Sequence, residues 1–361
     1  MADIYCDATN GNDSTGDGSA GTPYATLQKC VDNASGGDTI WIGDTVAQVL
    51  SAAISWTSGW GGGTSDTSWL IIRGWDYSAG AGFDGVGEIN GNDAVANIFN
   101  STSRPTYVHL HCLTLHSTTS TTVTGSNYWA MTHCTVHGGT YGIFLGTSGS
   151  VANCHVYDCS SSCVYLQNQT FLTKSFIDGA SCSSDAVLIA GLGVSVTRNI
   201  VLGNSAWGAT NAAIGNISDG PLIDGNTLVG DSNAGCGIRT TGEIVTATNN
   251  IITGFATGLT ESSGHFAVYG YNQFYNNTSD ESVTTYSIAL GGNSTANPDF
   301  VDAAGGDYTP QTFADGYPAT FFGSSTTSEI KIGAVQEAGG GGAAGGGSIF
   351  SSSIIQSHGV V

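Results

Sequence analysis

Cys112-Leu-Thr-Leu, Cys134-Thr-Val-His-Gly, Cys154-His-Val-Tyr-Asp, Ser175-Phe-Ile-Asp-Gly, Asn199-Ile-Val-Leu-Gly, Asn226-Thr-Leu-Val-Gly, Asn250-Ile-Ile-Thr-Gly and Asn272-Gln-Phe-Tyr-Asn lie between Val108 and Asn276 and share one local pattern. Their first residues are 22, 20, 21, 24, 27, 24 and 22 positions apart. Short β-prone runs recurring at that interval, punctuated by Gly, Asn and Asp, are the signature of a solenoid. Leu does not recur at the offsets of a leucine-rich repeat. Three residues before the anchors stand His109, Met131, Val151, Leu172, Val196, Ile223, Ala247 and Tyr269. Two residues after them stand Thr114, Val136, Val156, Ile177, Val201, Leu228, Ile252 and Phe274. Rows this apolar face a core. The odd interval between them requires a bend near the anchor, because a continuous strand alternates faces with period two.

At that bend the chain places small or polar residues: Cys112, Cys134, Cys154, Ser175, Asn199, Asn226, Asn250 and Asn272. A buried polar side chain needs partners, and the same residue one coil above and below supplies them. The cysteines read as an interior stack of small residues and the asparagines as a hydrogen-bonded ladder. This resembles the right-handed parallel β-helix repeat of pectate-lyase-like proteins, in which an Asn ladder marks one turn. The resemblance implies an all-β, right-handed parallel β-helix solenoid.

The two ends extend it. Residues 1–45 read as an N-terminal cap carrying a helix, with Thr22 as N-cap, Pro23 in the first turn, and Ala25, Leu27, Cys30, Val31 and Ala34 on one face. A cap answers a physical need, since an open solenoid end exposes core and strand edges. Coils occupy 46–296. Asn297-Pro-Asp-Phe-Val-Asp, with Gly316-Tyr-Pro-Ala and Ile332-Gly-Ala-Val-Gln, resembles the closing segment of secreted β-helix proteins and assigns 297–337 to it. Residues 338–347 form a Gly/Ala linker. Residues 348–361 read as a docking peptide through Ile349, Phe350, Ile354, Ile355, Val360 and Val361, uncharged and β-prone, which would add a strand to a second copy or to a capsid or filament. A disordered end is the alternative.

Gly accounts for 54 of 361 residues and charged residues for 10%, which suits stacked, turn-rich coils. A net charge of −21 with seven basic residues disfavours nucleic acid and anionic membrane, and counts against polyanionic glycans unless Ca²⁺ bridges. Of nine cysteines, Cys6 and Cys30 bracket the cap and could pair, whereas Cys159, Cys163, Cys182 and Cys236 suggest no scheme. No zinc-type CxxC pair occurs. The first residues carry no secretory leader and no apolar run is long enough for a membrane span. Such a chain is intracellular, already processed, or exported by another route such as phage lysis; a virion or an extracellular surface is the location expected first.

Candidate chemistry is scattered. Lys174 and Arg198 occupy equivalent places on adjacent coils, beside Asn153 and below His133 and His111, the row a lyase base would need. Asp158 and Asp178, one place apart in register, are the best pair for a hydrolase, with Asp185, Asp219 and Asp224 behind them. His109, His111, His116, His133, His137 and His155 form one local cluster, readable as ladder residues or as a metal site. Asp7, Asn12, Asp13 and Asp17 could bind Ca²⁺ or could hold a loop by Asx turns; no other cofactor is implied. Trp56, Trp60, Trp69 and Trp75 could stack on sugars or pack beneath a loop. Thr132, Thr173, Thr197 and Thr248 form an outward row. The function expected first is a non-catalytic structural or adhesive β-helix assembling through its tail, as a phage virion component or surface filament. A polysaccharide lyase or glycoside hydrolase, and a glycan-binding module, are the alternatives.

Overall fold

The computed structural model describes residues 1–56, 68–76, 78–79, 82, 85–99, 106–116, 118–241, 244–263, 265–284 and 287–311. Over the described residues the chain is all-β, a right-handed parallel β-helix of about eight turns with one helix, Leu27–Asn33. Its residues form two compact units, Met1–Phe171 with Ile177–Val194, and Leu172–Phe176 with the chain from Ser195 onward. The linker, the six tail residues proposed for assembly, Trp60, and the Gly316 and Ile332 motifs lie outside the described residues.

In the first unit, one face is built by the parallel strands Asp3–Cys6, Thr39–Gly43, Leu70–Trp75, Val108–His111, Trp129–Thr132 and Ser150–Ala152, in that spatial order. A second face carries Gly87–Asn90, Leu113–His116, Thr135–His137 and His155–Tyr157. A third carries Thr121–Thr124, Tyr141–Leu145, Ser162–Leu166 and Val187–Ile189. Leu110, Met131 and Val151 fill the interior from the first face, and Leu115, Val136 and Val156 from the second, all without solvent exposure. Fully burying each such side chain contributes roughly 1.5–3 kcal/mol.

The register corrects one expected rung. Thr135 pairs with Thr114, so the interior partner of Cys134 is Leu113, not Cys112. Cys112 sits at the bend itself, half-exposed at φ 51°, and is the equivalent of His133 at φ 56° and Asn153 at φ 53°. Likewise Leu110, not His109, faces the core. Leu needs no hydrogen-bond partner, so it replaces a polar anchor where the coil begins. Cys134 and Cys154 do form rungs, each thiol donating to a carbonyl two residues back, Thr132 and Ala152.

In the second unit Ser175, Asn199, Asn226, Asn250 and Asn272 form the ladder. Asn226 Oδ1 accepts from Asn199 N at 2.9 Å and Asn199 Nδ2 at 3.0 Å, while Asn226 Nδ2 donates to Val196 O at 2.9 Å and Asn250 Oδ1 at 3.0 Å. The same geometry links Asn250 to Asn272, whose backbone amide donates to Asn293 Oδ1. Each amide thus satisfies itself and the backbone of its neighbour, which a buried bend requires.

At the N-terminus, Asp3–Cys6 is already a rung paired with Thr39–Ile42, so the stack begins inside the expected cap. The helix starts later than the sequence suggests. Tyr24 exchanges backbone hydrogen bonds with Tyr5 and Asp7, which holds residues 22–25 extended. Thr26 is therefore the N-cap, its hydroxyl accepting from Lys29 N, and Thr22 instead donates to Asp17. Of the closing segment, Phe300–Asp302 and Asp307–Pro310 form an antiparallel pair whose Tyr308 stacks on Phe176 of the same unit.

Candidate functional site

The outward residues of the first face in unit one form a surface with two rims. One rim is aromatic. Trp69, Tyr107 and Tyr128 each precede a strand of this face at one register position. Tyr107 and Tyr128 stack at 4.6 Å and 5°, and Trp69 meets Tyr107 edge-on at 5.6 Å. Tyr128 is 39% exposed. Tyr107 takes one of its faces, and the register of the next coil puts Ser148 at the position beyond it. A partly exposed phenol ring at the end of such a row is a stacking surface.

The other rim is formed by imidazoles. His109 Nε2 and His111 Nδ1 each lie 2.7 Å from Thr132 Oγ1, and the rings of His111 and His133 are 5.3 Å apart. One hydroxyl donates once, so one imidazole accepts that proton while the other donates to the oxygen. Burial, helped by the charges of His111, Arg73 and His133, pulls His109 down to about 4; it is neutral at neutral pH. Ala130 and Ser150 continue the register row of His109, and Ala152 that of His111 and Thr132, so the imidazole rows run on into small side chains along the face. Arg73, its guanidinium 4.6 Å over the Trp41 ring, closes one end, and the 54%-exposed Phe171 the other. Five rungs at the usual strand spacing make this surface about 19 Å long. From Arg73 to Phe171 its described outward residues include no carboxylate.

The second face of the same unit carries a different constellation. His116 stacks on His137 at 4.6 Å and His137 on Tyr157 at 4.8 Å, while His116 Nε2 lies 2.7 Å from Glu88. The six histidines expected as one cluster therefore divide between two faces, because Cys112 turns the chain between His111 and His116. Asp178 is half-buried; burial raises its carboxyl above the usual range, the Ala180 amide opposes this, and the charge of Asp158 adds to it. Asp158 is exposed and accepts from Ser181. Burial first and then Asp158 also raise Tyr157.

Other expected sites resolve as follows. Trp56 and Trp75 are interior: Trp56 packs on Phe99 and Trp129, Trp75 on Tyr5. They lack the exposure that stacking on a sugar needs, and only Trp69 of the described three has it. Asp7, Asn12 and Asp17 accept from amides two or three residues on, as Asx turns do, with Thr45 and Thr22 also donating to Asp7 and Asp17, while Asp13 accepts from the Ala25 and Thr26 amides and the Thr26 hydroxyl ahead of the helix. Among the described residues no group of three His, Cys, Asp or Glu side chains is arranged for a metal ion. In unit two, Lys174 and Arg198 occupy the bend position, both exposed, at φ 50° and 58°. Asp224 there accepts from Thr248 at 2.6 Å and Asn249 at 2.7 Å.

No protein-family model matches the chain, and no curated protein matches it. Solved structures do share its fold. GH136 lacto-N-biosidase from Eubacterium ramulus superposes with a TM-score of 0.55 at 12% identity, over 81% of this chain and 67% of that one. Pectate lyase Pel9A gives 0.54 at 13% identity over 92% and 96%, and XylC, solved with xylose, 0.52 at 9% over 83% and 87%. These likenesses show the fold, a parallel β-helix. Among the described residues no helix is long and apolar enough to cross a membrane.

Proposed function

We propose that this protein is an adhesive β-helix that holds a polysaccharide along the outer face of its first unit, without cleaving it. The observation that carries this reading is the Trp69–Tyr107–Tyr128 row, with hydrogen-bonding imidazole rows that run on into small side chains on the same face. Sugar rings stack their apolar faces on aromatic rings while side-chain donors and acceptors take the hydroxyls. The whole-chain charge of −21 weighs against a polyanion. An uncharged or weakly acidic polysaccharide fits best. The names of the three solved structures, a lacto-N-biosidase, a pectate lyase and a xylose complex, accord with a saccharide ligand.

Presentation on a virion or cell surface, through residues 348–361, remains part of this proposal on sequence grounds alone. Light scattering of the full chain against a chain ending at Glu337 tests it: loss of assembly on truncation is expected, and equal masses would remove the tail from the account. Hydrolysis is the second reading, favoured by the raised carboxyl of Asp178 beside exposed Asp158. Release of reducing ends that is lost in Asp178→Asn would establish it in place of adhesion. Binding itself is tested by retardation in gels containing neutral or acidic polysaccharides, where Tyr128→Ala is expected to weaken retention roughly tenfold.

A further inference from the structure

Three cysteines of the first unit meet inside it. Cys163 Sγ lies 3.5 Å from Cys182 Sγ and 3.1 Å from the Asp178 carbonyl, and the Cys159 thiol is close enough to help raise the Cys163 thiol above its ordinary range. All three are fully buried. Cys163 is on the strand Ser162–Leu166, Cys159 in the turn after Tyr157, and Cys182 in the surface turn after Asp178. The position of Cys159 depends on Gly142, where an added Cβ would stand 2.8 Å from the Cys159 sulfur and 2.7 Å from the Cys163 carbonyl. The bonds from Ser183 N to Ser160 O and from Ser184 N to Ser161 O stack the Cys182 turn on the Cys159 turn, and the Cys163 sulfur reaches Cys182 from the adjoining strand; a disulfide between them needs the 3.5 Å approach to close to about 2.05 Å. The trio is not arranged for a metal ion.

We infer that Cys163 and Cys182 form an oxidisable dithiol that takes a low-molecular-weight disulfide as its oxidant, with Cys159 as the alternative partner of Cys163. Cys182 reacts first, because its turn lies at the surface, flanked by the exposed Ala180, Ser181 and Ser183. When that turn opens, the Cys182 thiolate attacks the small disulfide, an S–S bond breaks, and one thiol leaves. The Cys163 thiol gives up its proton, its sulfur attacks the Cys182 sulfur, and the second small thiol leaves. Two protein thiols are oxidised and one disulfide is reduced to two thiols. In the closed state hydrogen bonding with Cys159 and Cys182, then burial, holds the Cys163 thiol well above its ordinary range, so reaction waits on opening.

The test exposes the folded full chain to oxidised glutathione, then alkylates remaining thiols in urea and maps the peptides by mass spectrometry. The expected product is a peptide pair joined through Cys163 and Cys182, two hydrogens lighter than its parts. Cys236, bonded to the Ala209 carbonyl and the Thr260 hydroxyl, is expected to stay unbridged. In Cys182→Ser the bridge should move to Cys159–Cys163. Recovery of Cys163 and Cys182 both alkylated in the wild-type chain, or of Cys182 capped by glutathione with Cys163 free, would overturn the inference. The wild-type result decides even if the variant fails to fold.

Discussion

Asn226 makes five hydrogen bonds through its side chain, and four of them, all but that to the half-buried Asp224 carbonyl, are with buried groups. Asn226→Ala strands the Asn199 amide and the Val196 carbonyl, and should cost about 3 kcal/mol in urea unfolding. Cys134→Ala, which loses a small thiol and weak bonds to carbonyls, should cost about 1 kcal/mol. His109 sets a pH dependence. Its folded-state value of about 4 lies below the ordinary 6.5, so between those values the unfolded chain binds the extra proton. Stability therefore falls as pH drops from about 6.5 to 4, by up to about 3 kcal/mol, and His109→Gln should flatten that part of the curve. Thermal melts across that window check the sign. The ladder was legible in the sequence because identical residues are the simplest way for successive bends to satisfy one another. Tyr107 and Tyr128 were missed although they stand 21 positions apart, the interval of the anchors themselves; outward residues need no match to their neighbours, so nothing marked the row.

At the scale of the element, what the sequence misplaced was phase rather than kind. The polar-anchor pattern drew attention to Cys112, whereas the interior position belongs to Leu113. Leu113→Ala should cost about 2–4 kcal/mol and Cys112→Ser less than about 1 kcal/mol. The reverse ranking in denaturant titrations would restore the original register. The cap helix carries the same lesson. Thr22-Pro23 has the right chemistry to begin a helix, but the strand-like pairing of Tyr24 with Tyr5 and Asp7 overrides it. Thr26→Ala should cost about 1 kcal/mol and Thr22→Ala should leave the helix intact.

On the scale of the whole molecule, the repeat, the fold class and the absence of a nucleic-acid-like charge pattern could be read from the chain, because all three are periodic or compositional. The proposed binding face could not, because it is assembled from residues up to about a hundred positions apart, Trp69 to Phe171, that only the coil register brings together. The insertion between Trp75 and Val108 hides the step from Trp69 to Tyr107. The account's central claim is that this face holds a polysaccharide and leaves it whole. Its most direct test is affinity electrophoresis of wild type, Tyr128→Ala and Asp178→Asn against a panel of neutral and acidic polysaccharides, with reducing ends assayed in the same samples. Retention of wild type and Asp178→Asn alike, weakened roughly tenfold in Tyr128→Ala, with no new reducing ends, is the expected result. Reducing ends produced by wild type and abolished in Asp178→Asn, with retention indifferent to Tyr128, would contradict it.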